Sequence, residues 1–116
     1  MDFTYDEINF KGLPEYIVEL KKQGVKFIII LDPAINSEEP NYKPFEDGTK
    51  DQVWIKWPSV QNPQMDELGG FGNNSYMLGY VWPEGKTVFP DFFKSKAKNW
   101  WKNAIVEHYK TLKFDG

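Results

Sequence analysis

The chain has 116 residues, of which 41% are hydrophobic and 27% charged, a balance typical of folded globular sequence and not of a disordered tail. Its length falls short of the roughly 250 residues that a complete (β/α)8 barrel takes. The net charge of −3 comes with scattered Lys and Arg residues, which argues against a nucleic-acid partner. The absence of cysteine excludes disulfides and thiolate metal sites.

Residues 1–12 form a polar and aromatic lead-in. Leu13, Ile17 and Leu20 then recur at helical spacing, with Pro14 in the first turn and Gly24 just past the end. This punctuation predicts an amphipathic helix. Val25 to Leu31 is apolar except for Lys26. It is too short for a core helix and rich in β-branched residues, so it predicts a parallel strand buried on both faces. Helix, glycine and buried strand are the second half of a βαβ unit.

A long excursion runs from Asp32 to about Asp91. Within it Val53, Ile55 and Trp57 alternate, as do Met77, Gly79 and Val81 more weakly. They predict two strands of a small antiparallel excursion, joined by the loop around Gly69-Gly70-Phe71-Gly72-Asn73-Asn74. Long loops on compact domains usually carry function. A second helix is expected over about Ser95 to Lys110, capped by Ser95 or Asp91. Ala97, Trp101, Ala104, Ile105 and His108 share one of its faces. Lys113-Phe114-Asp115-Gly116 reads as the start of a further strand.

Three residues stand out chemically. Asp32 ends the predicted strand, the position from which barrels build their sites. It reads either as an acceptor for sugar hydroxyls or as a turn acid satisfied by nearby backbone N–H groups. Ile30 lies two residues earlier and shares its face. From the residues alone it reads as core. Trp82, in Val81-Trp82-Pro83, offers an indole face that packs on sugar C–H groups and one N–H donor, or else anchors a loop. Phe89-Pro90-Asp91-Phe92 and Trp100-Trp101 read as packing, with Trp101 on the buried face. His108 is expected to face solvent or to complement the helix dipole. Asn73-Asn74-Ser75 is an N-x-S glycosylation sequence.

No cofactor is expected. The sequence holds no P-loop, dinucleotide fingerprint or nucleophile elbow, and the single His108 cannot build a histidine metal site. No apolar run approaches the roughly 20 residues that span a bilayer, so no membrane contact is expected from this segment.

The stretches Ile28-Ile29-Ile30-Leu31-Asp32-Pro33-Ala34-Ile35, Val81-Trp82-Pro83, Val88-Phe89-Pro90-Asp91-Phe92 and Phe114-Asp115-Gly116 come in a familiar order and spacing. Together they resemble the catalytic barrel of the retaining α-glucosidases of glycoside hydrolase family 31, over nearly the whole chain. The resemblance implies an α/β fragment of a (β/α)8 TIM barrel, about from the second helix to the start of the fourth strand, with a long, partly antiparallel β insert loop. It implies that Trp82, Ile30 and Asp32 line the pocket for a terminal glucose of an α-glucoside oligosaccharide, in a parent protein of the secretory pathway. One departure concerns the loop path. The family often has a glycine directly after the proline of Val81-Trp82-Pro83, and here Glu84 intervenes before Gly85.

In the family, Phe-Asp-Gly runs into the strand that carries the nucleophile, and the acid/base comes later still. The chain is therefore expected to contain no catalytic residue and to be inactive alone. Self-association through unpaired strand edges is also expected. The other function open at this point is a small non-catalytic carbohydrate-binding or interaction module.

Overall fold

The computed structural model describes residues 1–57 and 76–116. The chain divides into two compact units, one of residues 1–32 with 102–116 and one of residues 33–101.

In the first unit, helix α1 spans Leu13–Lys22, with Pro14 in its first turn as expected. Its end is a Schellman motif. Gly24 takes φ +79°, Val25 N–H donates to the Leu20 carbonyl and Gly24 N–H to the Lys21 carbonyl, both at 3.0 Å. These bonds satisfy carbonyls that the helix itself leaves open. Ile17 is fully buried.

The segment after α1 differs from the expected strand. Phe27 and Ile29 are half-buried, but Ile28 and Ile30 are 73% and 87% exposed. Two backbone bonds tie the segment to the chain's last residues. Asp115 N–H donates to the Phe27 carbonyl (2.6 Å) and Ile29 N–H to the Gly116 carbonyl (2.9 Å). The two stretches therefore advance in the same direction, as neighbouring parallel strands do. A parallel strand is buried on both sides only where other elements cover both its faces. Here Ile28 and Ile30 have no such cover.

Of the two placements expected for His108, the solvent-facing one is not found. The residue is half-buried, edge-on to Phe3 at 6.3 Å and tilted against Phe114 at 5.8 Å. Burial lowers its pKa from the ordinary 6.5, because the apolar surroundings disfavour the imidazolium.

The second unit is built on a three-stranded antiparallel sheet, β1 (Ile35–Asn36), β3 (Thr87–Val88) and β2 (Leu78–Gly79), in the order β1-β3-β2. Val88 lies opposite Ile35 and Leu78, and Thr87 opposite Asn36 and Gly79. Residues 53–56 extend this sheet through bridges Trp54–Pro90 and Lys56–Tyr76. The antiparallel excursion is thus present, but with different inward faces. Tyr76 and Leu78 are buried where Met77 and Gly79 were expected, and Val53 and Trp54 are both fully enclosed. The connecting loop around Gly69–Asn74 lies outside the described residues.

Helix α2 (Lys43–Lys50) was not anticipated. It ends as α1 does, with Val53 N–H on the Gly48 carbonyl (3.0 Å) and Gln52 N–H on that of Thr49 (3.1 Å). Gln52 itself occupies the left-handed position at φ +57°. Helix α3 (Ser95–Thr111) matches its expected span. Its buried residues are Ala97 and Trp100, so Trp100 and not Trp101 takes the inner position. Asp91 is not the cap of α3. Its carboxylate accepts from Phe93 N–H in the preceding turn (3.2 Å) and pairs with Lys94 (3.0 Å).

The α2 glycine is fixed by packing. A Cβ on Gly48 would stand 2.3 Å from Cζ2 of the fully buried Trp54. Alanine gains about 0.8–1 kcal/mol of helix propensity over glycine, whereas overpacking a tight core costs about 1–3 kcal/mol. Gly48→Ala should therefore lower stability by about 1 kcal/mol or more in a denaturant melt, against the propensity trend. For His108 the sign follows from its lowered pKa. The fold favours neutral imidazole, so its full contribution is present above the unfolded value of 6.5 and is lost as pH falls from there toward the folded value. Thermal midpoints between pH 7.5 and 5 should fall more steeply for the native chain than for His108→Phe. Parallel curves would remove this assignment.

Candidate functional site

Trp82 sits in the loop that joins β2 to β3. Its side chain is 98% exposed. An indole fully open to water is an unusual use of the largest apolar side chain, and stacking of a ligand is the chemistry such a face offers.

The loop beneath Trp82 is tightly bound. Asn36 is only 5% exposed, and its amide Nδ2 donates to the Glu84 carbonyl (3.0 Å). Its Oδ1 accepts from the N–H groups of Glu38 (2.7 Å) and Glu39 (2.9 Å). Ser37 gives two bonds of 2.8 Å to the Lys86 carbonyl, one from its N–H and one from its hydroxyl. Lys86 N–H donates to a carboxylate oxygen of Glu38 (3.1 Å). Gly85 adopts φ +97°, and a Cβ there would meet the Asn36 amide nitrogen at 2.9 Å. The Glu84-Gly85 pair that departs from the family pattern is thus accommodated by Asn36 and by the left-handed backbone at Gly85.

Sheet alternation divides the labour. The row Ile35, Val88, Leu78 is apolar and buried. The next row, Asn36, Thr87, Gly79, is polar or small. Its Asn36 amide bonds the loop, and Thr87 Oγ1 donates to the Gly79 carbonyl at 3.1 Å.

Ile30 and Asp32 lie in the first unit. Ile30 is 87% exposed, and Asp32 is exposed as well. The backbone N–H of Asp32 donates to the Asp2 carboxylate at 2.7 Å. Burial raises the Asp2 pKa above its ordinary value. The bond from Asp32 N–H opposes that rise, and the Asp32 carboxylate adds to it. Asp2 therefore ties the lead-in to the end of the apolar segment and leaves the Asp32 side chain in solvent.

At the other end of that segment, Asp115 accepts from Phe27 N–H (3.0 Å) and pairs with Lys21 (3.3 Å) and Lys26 (3.5 Å). The Phe27 bond chiefly holds its pKa below the ordinary range, with Lys21 and Lys26 adding to the effect. Asp6 has a lowered pKa because it accepts from Asn9 and Ile8 in the lead-in turn. These shifts arise from local structural bonds.

Sequence reasoning singled out Trp82, Ile30 and Asp32 and passed over Asn36, Ser37 and Gly85, which hold the Trp82 loop. The one available signal was the Glu84 departure, which indicated an unusual loop path without showing its partner. Asn73 lies outside the described residues. Among the described residues no three His, Asp or Glu side chains converge on a point that could hold a metal ion, and no helix is long and apolar enough to cross a membrane.

Comparison with known proteins adds a lineage to this geometry. The model of the glycosyl hydrolases family 31 TIM-barrel domain matches residues 1–116. Intestinal sucrase-isomaltase of Suncus murinus is 37% identical over 119 residues, covering 99% of this chain and 6% of that protein. Probable maltase-glucoamylase 2 of Homo sapiens is 35% identical over 115 residues, covering 99% of this chain and 4% of its own length. Lysosomal alpha-glucosidase of Mus musculus is 32% identical over 117 residues, covering 99% and 11% respectively. The chain thus spans a small part of the length of these relatives. It belongs to the glycosyl hydrolases family 31 TIM-barrel domain family.

Proposed function

We propose that this glycosyl hydrolases family 31 chain is a segment of the catalytic barrel of a retaining α-glucosidase, and that it forms one wall of the pocket for a terminal α-linked glucose. In this reading α1 is the second barrel helix and residues 25–31 the third strand. Residues 33–91 form its insert-bearing loop. Helix α3 is the third barrel helix, and residues 112–116 approach the fourth strand. The parallel pairing of Phe27 and Ile29 with Asp115 and Gly116 supports the order, because adjacent barrel strands run side by side in one direction.

The observation that carries the site is the open indole of Trp82 on a bonded loop. Its face packs on the C–H groups of a sugar ring and its N–H donates to a hydroxyl. Ile30 adds an exposed apolar surface, and Asp32 an exposed carboxylate able to accept from sugar hydroxyls. A retaining glycosidase needs a nucleophilic carboxylate and an acid/base carboxyl about 5–5.5 Å apart. We assign both to parts of the parent protein outside residues 1–116. The well-bonded roles of Asp2, Asp6 and Asp115 accord with that assignment. The exposed Ile28 and Ile30 accord with self-association of the isolated chain.

Two outcomes follow. The purified chain should not hydrolyse a chromogenic α-glucoside between pH 4 and 7, since the nucleophilic and acid/base steps each contribute large rate factors. Turnover that copurifies with the chain would refute the assignment of the carboxylates. In the complete barrel, Trp82→Ala should weaken a glucose-site inhibitor about tenfold and shift stability by less than about 0.5 kcal/mol. Trp100→Ala should do the reverse, costing about 3–5 kcal/mol of stability with little change in affinity. Inhibitor titration and thermal melts of both variants separate the two roles. Unchanged affinity in the Trp82 variant would sink the site assignment.

A further inference from the structure

We infer that Asn36 is the positioning residue for Trp82, and that its side-chain amide sets the angle at which the indole meets a sugar. The inference rests on the reading of Trp82 as a sugar contact and adds how that contact is built.

With 98% of Trp82 exposed, its own packing contributes almost nothing to where it points. Its orientation is inherited from the backbone of the loop between β2 and β3. That backbone is fixed by the turn after β1. Asn36 pairs with Thr87 in the sheet, so the sheet itself aims its side chain. From there Nδ2 reaches the Glu84 carbonyl, two residues from Trp82, at 3.0 Å. Oδ1 takes the N–H groups of Glu38 and Glu39 and locks the amide against rotation. Both ends of the side chain are used.

No other side chain does this as well. Aspartate keeps the acceptor but loses the donor and faces the Glu84 carbonyl with a negative charge. Alanine loses all three bonds and leaves their part-buried partners without this acceptor and donor. Gly85 completes the arrangement from the loop side, since any Cβ there would intrude on the Asn36 amide. Ser37, with two bonds to the Lys86 carbonyl, fixes the far end of the loop.

Asn36→Asp separates the two halves of this function in the full chain. The Ser37 N–H, bonded to the Lys86 carbonyl, reports loop docking. The Glu38 and Glu39 N–H groups report the turn. Amide exchange by NMR should rise about tenfold at Ser37 for the loss of one buried hydrogen bond and stay nearly unchanged at Glu38 and Glu39. The Trp82 indole N–H signal, assigned through Trp82→Phe, should move while that of the buried Trp54 stays. The shift of the Trp82 signal on titration with maltose should weaken several-fold. Gly85→Ala should reproduce the Trp82 displacement from the other side of the contact. Native-like Ser37 exchange and an unmoved Trp82 signal in Asn36→Asp would overturn the proposal, as would an unprotected Ser37 amide in the native chain. Maltose binding undiminished by Trp82→Ala would instead overturn the sugar reading on which the proposal rests.

Discussion

Within residues 33–101 the packing converges on Trp54. Its side chain is fully buried and meets a different kind of partner on each side. Phe45 stacks on it at 5.9 Å, and Trp100 meets it edge-on at 5.1 Å. Gly48 gives way to its six-membered ring, and its Nε1 donates to the Thr49 hydroxyl at 2.9 Å. A buried indole is stable only when its one donor finds an acceptor. That requirement fixes α2 against the strand residue that carries it. The Trp54 backbone also bridges to Pro90, so one residue relates α2, the sheet extension and, through Trp100, α3.

The sheet carries that order outward to the site. Val53 and Ile55 exchange backbone bonds with Asp91 and Phe89 at 2.8 Å, which sets the register of the strand that includes Thr87 and Val88. The register then decides which side chains turn inward and which meet the loop. Val88 between Ile35 and Leu78 supplies apolar burial. Thr87 beside Asn36 supplies hydrogen bonds. The exposed indole of Trp82 is therefore the outer end of a chain of constraints that begins at an enclosed one. A rigid base spares part of the ordering entropy when a ligand stacks on such a face.

In the unit of residues 1–32 and 102–116, polar side chains do more of the fixing. Asp115 collects the Phe27 N–H and two lysines, and Asp2 holds the Asp32 N–H. Both carboxylates act at the ends of the apolar segment 25–31, which itself makes few bonds. Ile28 and Ile30 stay open to solvent. The segment is held in place at its ends, with the Ile28 and Ile30 face turned to solvent and Phe27 and Ile29 half-buried.

The sequence by itself determined the local events. Pro14 and Gly24 bracket α1 because proline suits a first turn and glycine a left-handed C-terminus, and α3 follows from its long helical period. The motif order identified the family. Tertiary structure decided the rest. Helix α2 has glycine inside and glutamine at its left-handed end, the opposite of the usual signals. It forms because Trp54 needs the space at Gly48 and the hydroxyl of Thr49. Trp100 displaced Trp101 from the inner face of α3 because Trp54 lies on that side, a contact 46 positions distant in sequence. The tie from Asn36 to Glu84 spans 48 positions. Propensity and periodicity report on neighbours along the chain, and these choices were made by partners brought close only when the sheet closed its register.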